Sequence, residues 1–213
     1  MIYIILCGGQ YDKWPNPKQL TEICGEPIVA RTIRLLRENG VEDIAICSNQ
    51  EGFDSFGVPV IHHDNEYRLG IAKGDTSGHW LNAFPYIEGG ACYLFGDVVF
   101  SPEAIKTIVE YDEEDIMFFA SAEPLPWNYP KEWAEPFAYK VKDMESFFNS
   151  IDRTKKYDSE GCFYRMAVSW ELWQVIKRTP LNRIDYTNYV AINDYTCDVD
   201  SPEDVMYFER ILR

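Results

Sequence analysis

The chain has 213 residues, 46% of them hydrophobic, which predicts a globular fold with a sizeable core and no low-complexity segment. Its 35 acidic and 20 basic residues give a net charge of −15, which argues against a nucleic-acid-binding protein because such proteins need a basic face. A nucleotide ligand is not excluded, since a divalent metal can neutralise phosphates locally. The sequence has no apolar run of about 18 residues, so no membrane-spanning helix is expected.

The six cysteines form no C-x-x-C pair, and several lie inside apolar runs, where a free cysteine behaves as a small hydrophobic residue. We interpret them as reduced, which predicts a cytoplasmic protein. They are Cys7, Cys24, Cys47, Cys92, Cys162 and Cys197.

The first twenty residues predict a strand that ends in a glycine turn. Met1–Cys7 is apolar and rich in isoleucine, as in a strand buried on both faces. Gly8 and Gly9 allow a sharp turn and a close approach of backbone N–H groups to an anion. Lys13 and Lys18 add positive charge. This pattern fits a phosphate-binding loop and an ordinary turn with solvated lysines equally well.

Helices and strands alternate along the next hundred residues. In chain order, the patterns predict a helix from Pro27 to a C-cap at Gly40, strands at Asp43–Ser48 and Val58–Ile61, a helix over about Ser77–Tyr86, a strand at Ala91–Phe95, a helix that begins at Ser101 and Pro102, and a strand at Asp115–Ala120. This order implies βαβ units and a largely parallel sheet. Asn49 then lies at the carboxyl end of a strand, where ligands of open α/β sheets bind.

The composition changes after residue 120. Glu123–Pro136 is rich in proline, tryptophan and tyrosine, which is typical of an ordered functional loop. Beyond it, the patterns predict a strand at Phe137–Val141, a short helix or turn at Met144–Ser150, a strand at Cys162–Val168, a helix from Ser169 to Lys177, and a last helix that begins at Ser201 and Pro202 and ends at Leu212.

Three aspartates occupy positions suited to a metal ion. Asp97 directly follows a predicted buried strand, so its carboxylate faces the cleft at the carboxyl edge of the sheet. Asp198 and Asp200 are two residues apart and face the same side of an extended segment. Mg²⁺ often takes one or two carboxylates together with substrate phosphates. Helix capping is an alternative role for Asp198, but it does not explain Asp97.

Three segments resemble signatures of the GT-A-like nucleotidyltransferase family. Gly96–Phe100 resembles its G-D-x-x-F-like segment, and Asp198–Asp204 resembles its late D-[IV]-D-[ST]-P-E-D segment. The first segment resembles its glycine-loop signature, with matches at Leu6, Gly8, Gly9, Pro17, Lys18 and Leu20 and departures at Cys7, Tyr11 and Lys13. The three segments follow one another in the family's order and span almost the whole chain.

The resemblance implies a fold and an activity. The fold is α/β, a Rossmann-like GT-A nucleotidyltransferase fold with a mostly parallel mixed sheet flanked by helices. Residues 1–213 would form a single domain, with a nucleotide-binding half at about 1–120 and an acceptor-binding half at about 121–200. The activity is Mg²⁺-dependent transfer of an NMP from an NTP, with CTP favoured, to a small phosphorylated acceptor, which releases pyrophosphate.

The resemblance also assigns roles. Asp97 and Asp200 would bind the metal, with Asp198 as the alternate. Lys18 would contact the α-phosphate and the acceptor phosphate, and Lys13 the leaving pyrophosphate, which makes Lys18, Lys13 and Asp97 the catalytic group. The nucleotide would be bound by Leu6, Cys7, Gly8, Gly9, Lys13, Lys18 and Asn49.

The acceptor stays open between a sugar phosphate and a phospho-alcohol such as phosphocholine. An aromatic, acidic cage for a quaternary ammonium could include Trp127, Tyr129, Trp133, Tyr139, Glu132 and Glu135, unless these aromatic residues pack the loop against the core. No nucleic-acid or membrane partner is expected, and the protein would be a monomer or a small homo-oligomer. Two alternatives remain: a GT-A glycosyltransferase, and a non-catalytic nucleotide-binding regulatory domain.

Overall fold

In the computed structural model, which describes residues 1–8, 14, 16–63 and 79–213, strand β1 (Ile2–Leu6) lies inside a mixed sheet. Its side chains alternate between two apolar clusters. Tyr3 and Ile5 enter one cluster, and Ile4 and Leu6 enter the other. Because both faces of the strand are covered, the sequence must be apolar at successive positions, which explains its continuous hydrophobic run.

The remaining elements alternate much as the sequence predicts. The strands are β2 (Glu22–Ile23), β3 (Glu26–Pro27), β4 (Ile44–Ser48), β5 (Val60–His62), β6 (Ala91–Phe95), β7 (Val98–Val99), β8 (Ile116–Ser121), β9 (Glu135–Val141), β10 (Val190–Ala191) and β11 (Cys197–Asp198). The α-helices are α1 (Ile28–Glu38), α2 (Pro102–Glu110), α3 (Met144–Ser159), α4 (Ser169–Lys177) and α5 (Pro202–Ile211). Short 3₁₀ helices cover Lys18–Leu20 and Trp80–Ala83.

Within the described residues, seven strands form the main sheet in the order β10-β8-β9-β6-β1-β4-β5. Strand β9 runs antiparallel to β8 and β6, and the other neighbouring pairs are parallel. The predicted α/β fold with a mostly parallel mixed sheet is therefore confirmed. Strands β7 and β11 form a separate antiparallel pair at the carboxyl edge of the sheet.

Helices cover both faces of this sheet. Helices α1 and α2 pack on one face, and α3 and α4 pack on the other. Helix α5 packs on a third apolar cluster, in which Phe208 contacts the segment around β11. None of the helices in the part of the chain described above is long and apolar enough to cross a membrane.

Two predicted helices differ by several residues from the structure. Helix α3 continues past Ser150 to Ser159 because Ile151 and Thr154 extend its buried stripe. The helix predicted over about Ser77–Tyr86 starts outside the described residues, and within them only the 3₁₀ turn at Trp80–Ala83 is helical. Phe84 precedes Pro85 and is extended, which ends that turn.

The predicted strand at Cys162–Val168 is wrong, since this segment forms no strand in the structure. Side chains satisfy its backbone donors in place of a strand partner. Asp158 accepts a hydrogen bond from the Ala167 N–H (3.0 Å), and Glu171 accepts one from the Val168 N–H (2.9 Å). The segment is therefore held as a connection into α4, whose predicted range is confirmed.

Candidate active site

The carboxyl ends of three parallel strands bring the predicted nucleotide-binding residues to one edge of the sheet. Leu6 aligns with Cys47 of β4 and with Phe95 of β6. The Ser48 hydroxyl donates to the Cys7 carbonyl at 2.6 Å, which fixes the ends of β1 and β4 side by side. The segments that follow these strands, including Gly8, Asn49 and Asp97, therefore start from the same edge.

The predicted nucleotide-binding residues differ in exposure at this edge. Leu6 and Cys7 are buried and belong to the core clusters, so their side chains support the edge. Gly8 and Asn49 are partly exposed. Gly9 and Lys13, together with Tyr11, lie outside the described residues, so their predicted roles are not placed by the structure.

Gly96 permits the close contact between the ends of β1 and β6. A Cβ atom at this position would lie 2.6 Å from the Leu6 carbonyl oxygen and 2.7 Å from the Cys7 sulfur. The Gly96 N–H donates to the same Leu6 carbonyl at 3.0 Å. Only glycine fits this approach, which holds Asp97 against the end of β1.

Lys18 lies between two of the predicted metal ligands. Its Nζ atom is 2.7 Å from Asp97 Oδ2 and 3.0 Å from Asp200 Oδ1. The Lys18 side chain is only 1% exposed, whereas the carboxylates keep part of their surface in water. In this state Lys18 is the counter-ion of Asp97 and Asp200, and its predicted contact with the α-phosphate stays a prediction.

Pairing between β11 and β7 carries the end of the chain to Asp97. Asp198 pairs with Val98, and the Val199 N–H donates to the Asp97 carbonyl at 2.9 Å. Val199 points into the core, so Asp198 and Asp200 share the other side of the segment, as predicted. Asp204 caps α5 by accepting from the Asp200 and Ser201 N–H groups, which fixes the backbone at Asp200.

A second ammonium group, from Lys131, completes the charged cluster. Its Nζ atom donates to Asp198, lies 2.7 Å from Asp200 Oδ2 and 3.6 Å from Glu135 Oε1, and its side chain is 4% exposed. Sequence reasoning missed Lys131, and it considered Glu135 only for an acceptor cage. The i,i+4 spacing of Lys131 and Glu135 indicates in the sequence that these two residues could pair with each other. It does not predict that they contact Asp198 and Asp200.

Burial and mutual charge shift the acidity of these groups. Burial, followed by the charges of Asp97 and Asp200, raises the pKa of Asp198 to about 7. Burial and the charge of Asp198 raise the pKa of Glu135 to about 8. Burial acts in the same direction on Asp200, but the Lys18 charge and the Lys131 hydrogen bond outweigh it and lower its pKa to about 2.

The pKa of Lys131 shifts in the direction that keeps its charge. Burial opposes protonation of its amine, but the charges of Asp198 and Glu135 and the hydrogen bonds to Asp198 and Asp200 prevail and raise the pKa above its ordinary value. Lys131 is therefore a permanent cation at neutral pH.

The cluster has a donor set that suits a hard divalent cation. Glu135, Asp198 and Asp200 each offer one carboxylate oxygen, and these atoms lie within 4.8 Å of one another. Asp97 and Asp200 both contact the Lys18 ammonium, which marks a cation position between them. Carboxylate oxygens are the ligands that Mg²⁺ prefers, so these residues fit the predicted metal.

The aromatic residues of the predicted acceptor cage separate into exposed and buried groups. Trp127 is 98% exposed and Trp133 is 57% exposed, and the Trp133 Nε1–H donates to Glu135. Tyr129 is partly buried against the core. Tyr139 is fully buried and donates to the Ser169 carbonyl at 2.5 Å, so it lies in the core and not in a cage.

Solved structures of low sequence identity share this fold. The CTP:phosphocholine cytidylyltransferase LicC from Streptococcus pneumoniae aligns with a TM-score of 0.58 and 16% identity over 100% of this chain and 99% of that chain. The inositol-1-phosphate CTP transferase from T. maritima aligns with a TM-score of 0.54 and 17% identity over 98% of this chain and 95% of that chain. HddC from Yersinia pseudotuberculosis aligns with a TM-score of 0.54 and 17% identity over 99% of each chain. A comparison with curated proteins finds no match.

The sequence itself matches a defined family of nucleotidyltransferases. The match to the MobA-like NTP transferase domain covers residues 3–154, more than half of the chain, and contains Lys18, Asp97, Lys131 and Glu135. It favours the nucleotidyltransferase interpretation over the glycosyltransferase alternative, and the suspected family is confirmed. The chain belongs to the family of MobA-like NTP transferase domains and is an enzyme of the nucleotidyltransferase type.

Proposed function

We propose that this enzyme transfers an NMP from an NTP, with CTP favoured, to a small phosphorylated acceptor in a Mg²⁺-dependent reaction that releases pyrophosphate. The convergence of Asp97 and Asp200 on one cation position carries the proposal. That position lies at the sheet edge that also holds the start of the glycine loop. The names of two similar structures, a phosphocholine cytidylyltransferase and an inositol-1-phosphate CTP transferase, support CTP as the nucleotide.

Asp97 and Asp200 would hold the metal, which when bound supplies neutralising charge to the triphosphate and to the departing pyrophosphate. Lys18 is already within 3.0 Å of both carboxylates, and an incoming triphosphate competes with them for its ammonium group. We infer that Lys18 exchanges its carboxylate partners for phosphate oxygens when the nucleotide binds. Its charge then stabilises the α-phosphoryl oxygens during transfer.

The acceptor phosphate is itself the nucleophile, so the protein needs no nucleophilic side chain. Its contribution is to bring two anions together and to orient them in line. Burial raises the pKa of the Cys7 thiol well above its ordinary value, and this keeps the cysteine nearest the loop protonated and inert.

We place the acceptor beside the loop between β8 and β9, within the proposed acceptor-binding half at about 121–200. Trp133 is exposed there and hydrogen-bonds Glu135, whose carboxyl group belongs to the charged cluster. Lys131 Nζ lies 5.7 Å from the centroid of the Trp133 ring, so a quaternary ammonium such as that of phosphocholine would contact the part of the indole that is exposed to solvent. A sugar phosphate is the alternative acceptor, since carboxylates also bind hydroxyl groups.

The test is pyrophosphate release from each of the four NTPs with Mg²⁺ and a panel of phosphorylated acceptors, combined with calorimetry of NTP binding. We expect release with CTP and one acceptor class, and tighter CTP binding with Mg²⁺ than without it. No pyrophosphate release with any NTP and acceptor, together with no NTP binding, would contradict the proposal. NTP binding without product under any acceptor would instead favour a non-catalytic, regulatory domain.

A further inference from the structure

We propose that the Lys131 ammonium group permanently occupies the corner of the cluster formed by Glu135, Asp198 and Asp200. Lys131 thereby limits the cluster to one divalent metal ion, bound between Asp97 and Asp200. This inference rests on the metal site of the proposed function and adds a residue that determines how many metal ions bind. Its ligand class is a divalent cation with oxygen coordination.

The Lys131 ammonium group contacts the same oxygen donors that would otherwise hold a metal ion. The three carboxylates offer oxygens within 4.8 Å of one another, and Lys131 Nζ reaches all three of these side chains. The Lys131 ammonium group is a compact positive charge with three N–H donors, so it can neutralise and hydrogen-bond carboxylates in the place of a metal ion. A divalent ion can enter this corner only if Lys131 leaves it.

A buried hydroxyl group beside the same corner points to a further oxygen donor. Ser121 is fully buried, and its Oγ atom has no hydrogen-bond partner among the described residues. Ser121 is directly opposite Glu135 in the antiparallel β8–β9 ladder, so both side chains project from the same face. With Lys131 removed, the corner offers carboxylate oxygens, and the Ser121 hydroxyl projects from the same face as Glu135; both are the oxygen donors that hard cations prefer.

The two lysines differ in the exposure of the carboxylates that they contact within the described residues. Lys18 contacts Asp97 and Asp200, whose side chains are 21% and 49% exposed. Lys131 also contacts Asp200, but its other partners, Glu135 and Asp198, are largely buried. Lys18 can therefore exchange its partners for nucleotide phosphates, whereas two of the three carboxylates that hold Lys131 lie away from the water through which a phosphate arrives. The metal ion enters at Lys18, and Lys131 stays.

The experiment counts Mn²⁺ ions bound to the full chain by electron paramagnetic resonance of free Mn²⁺ and by calorimetry, without nucleotide. We expect Lys131→Met to bind one equivalent of Mn²⁺ more than the wild type. Lys131→Arg keeps the cation and is expected to match the wild type. Lys142→Met removes an exposed lysine paired with Asp112 at 3.0 Å, and serves as the matched control.

An unchanged number of bound Mn²⁺ ions in folded Lys131→Met would overturn the inference. If Lys131→Met does not fold, Glu135→Gln in the wild-type background tests the inference instead. Because Glu135 contacts Lys131, the inference predicts that Glu135 is not a ligand of the bound metal ion. We expect its Mn²⁺ affinity to equal that of the wild type, and a loss of about 10-fold or more would overturn the inference. A wild type that binds no Mn²⁺, beside a Lys131→Met variant that binds one, would support the role of Lys131, because Lys18 keeps the position between Asp97 and Asp200 until a nucleotide binds.

Discussion

Lys18 and Asp200 are 182 residues apart in the chain, and their side chains meet at 3.0 Å. Lys18 follows the glycine loop, and Asp200 precedes the last helix. They meet because β11 pairs with β7 directly after Asp97, so the end of the chain closes over the carboxyl edge of the sheet. The candidate nucleotide side and the candidate metal side of the cleft are thus held together by one ammonium group.

Lys18→Met tests this link. Its removal leaves Asp97 and Asp200 facing each other without a shared cation, and we expect the free energy of unfolding to fall by about 2 kcal/mol, less than for a fully buried pair because both acids reach water. Urea denaturation measures the change. Mg²⁺ should stabilise this variant more than the wild type, since it replaces the lost cation, and an unchanged stability would contradict the counter-ion role.

Gly96→Ala tests the close approach of β6 to β1. The new Cβ atom would lie 2.6 Å from the Leu6 carbonyl oxygen, so the two strands must move apart, and we expect a loss of about 2–3 kcal/mol in unfolding free energy. Gly57→Ala is the comparison, because its Cβ meets nothing within 4 Å but has a φ of +68°. We expect about 1 kcal/mol there. Equal losses in the two variants would argue against a special role for Gly96.

His79 gives a pH dependence that is separate from the acidic cluster. It is buried, its Nδ1 atom accepts from the Leu81 N–H, and Nε2 lies 3.3 Å from Asp158. Burial lowers its pKa below the ordinary value near 6.5, against the opposing charge of Asp158. The folded state therefore binds fewer protons than the unfolded state just below pH 6.5, and this contribution to stability falls as the pH falls.

His79→Gln isolates this effect, because glutamine does not titrate. We expect the stability advantage of the wild type over the variant to be larger at pH 7.5 than at pH 5.5, measured by urea denaturation at both values. The comparison cancels the titration of Glu135 and Asp198, which both proteins share. An advantage that grows as the pH falls would show that His79 is charged in the folded state.

Trp133→Ala tests the proposed acceptor side. The exposed indole hydrogen-bonds Glu135, and loss of its contact with a cationic acceptor should raise the acceptor KM by about 10-fold, with little change in the KM of the NTP. Tyr86→Ala removes another exposed aromatic residue, one that packs on Phe148 of α3, and should change neither constant. Equal effects on both substrates would place Trp133 outside the acceptor pocket.

The parts of the site that the sequence predicts are those encoded in local segments. Asp97 follows a buried strand, so the end of that strand alone places it at the cleft. The resemblance of Asp198–Asp204 to the family's late segment indicates Asp200, although the pairing that brings it to Asp97 is long-range. Lys131 is different, because it lies in an irregular loop and reaches Asp198 only through the antiparallel insertion of β9 between β8 and β6. That pairing depends on long-range packing, which no local pattern records.

The same limit explains the wrong strand at Cys162–Val168. Its residues have strand propensity, but no neighbouring strand is available, and the carboxylates of Asp158 and Glu171 bind its backbone donors instead. Conversely, β10 and β11 are only two residues long, too short for a periodic pattern to predict, although β11 determines the position of Asp198.

The proposed metal role of Asp97 is tested most directly by Mg²⁺-dependent pyrophosphate release from CTP and its best acceptor, compared between the wild type and Asp97→Asn. Asp115→Asn is the control, since Asp115 is exposed at the opposite edge of the sheet, before β8. We expect Asp97→Asn to lose activity by at least about 100-fold while it stays folded, and Asp115→Asn to match the wild type. Full turnover by folded Asp97→Asn would contradict a metal site between Asp97 and Asp200.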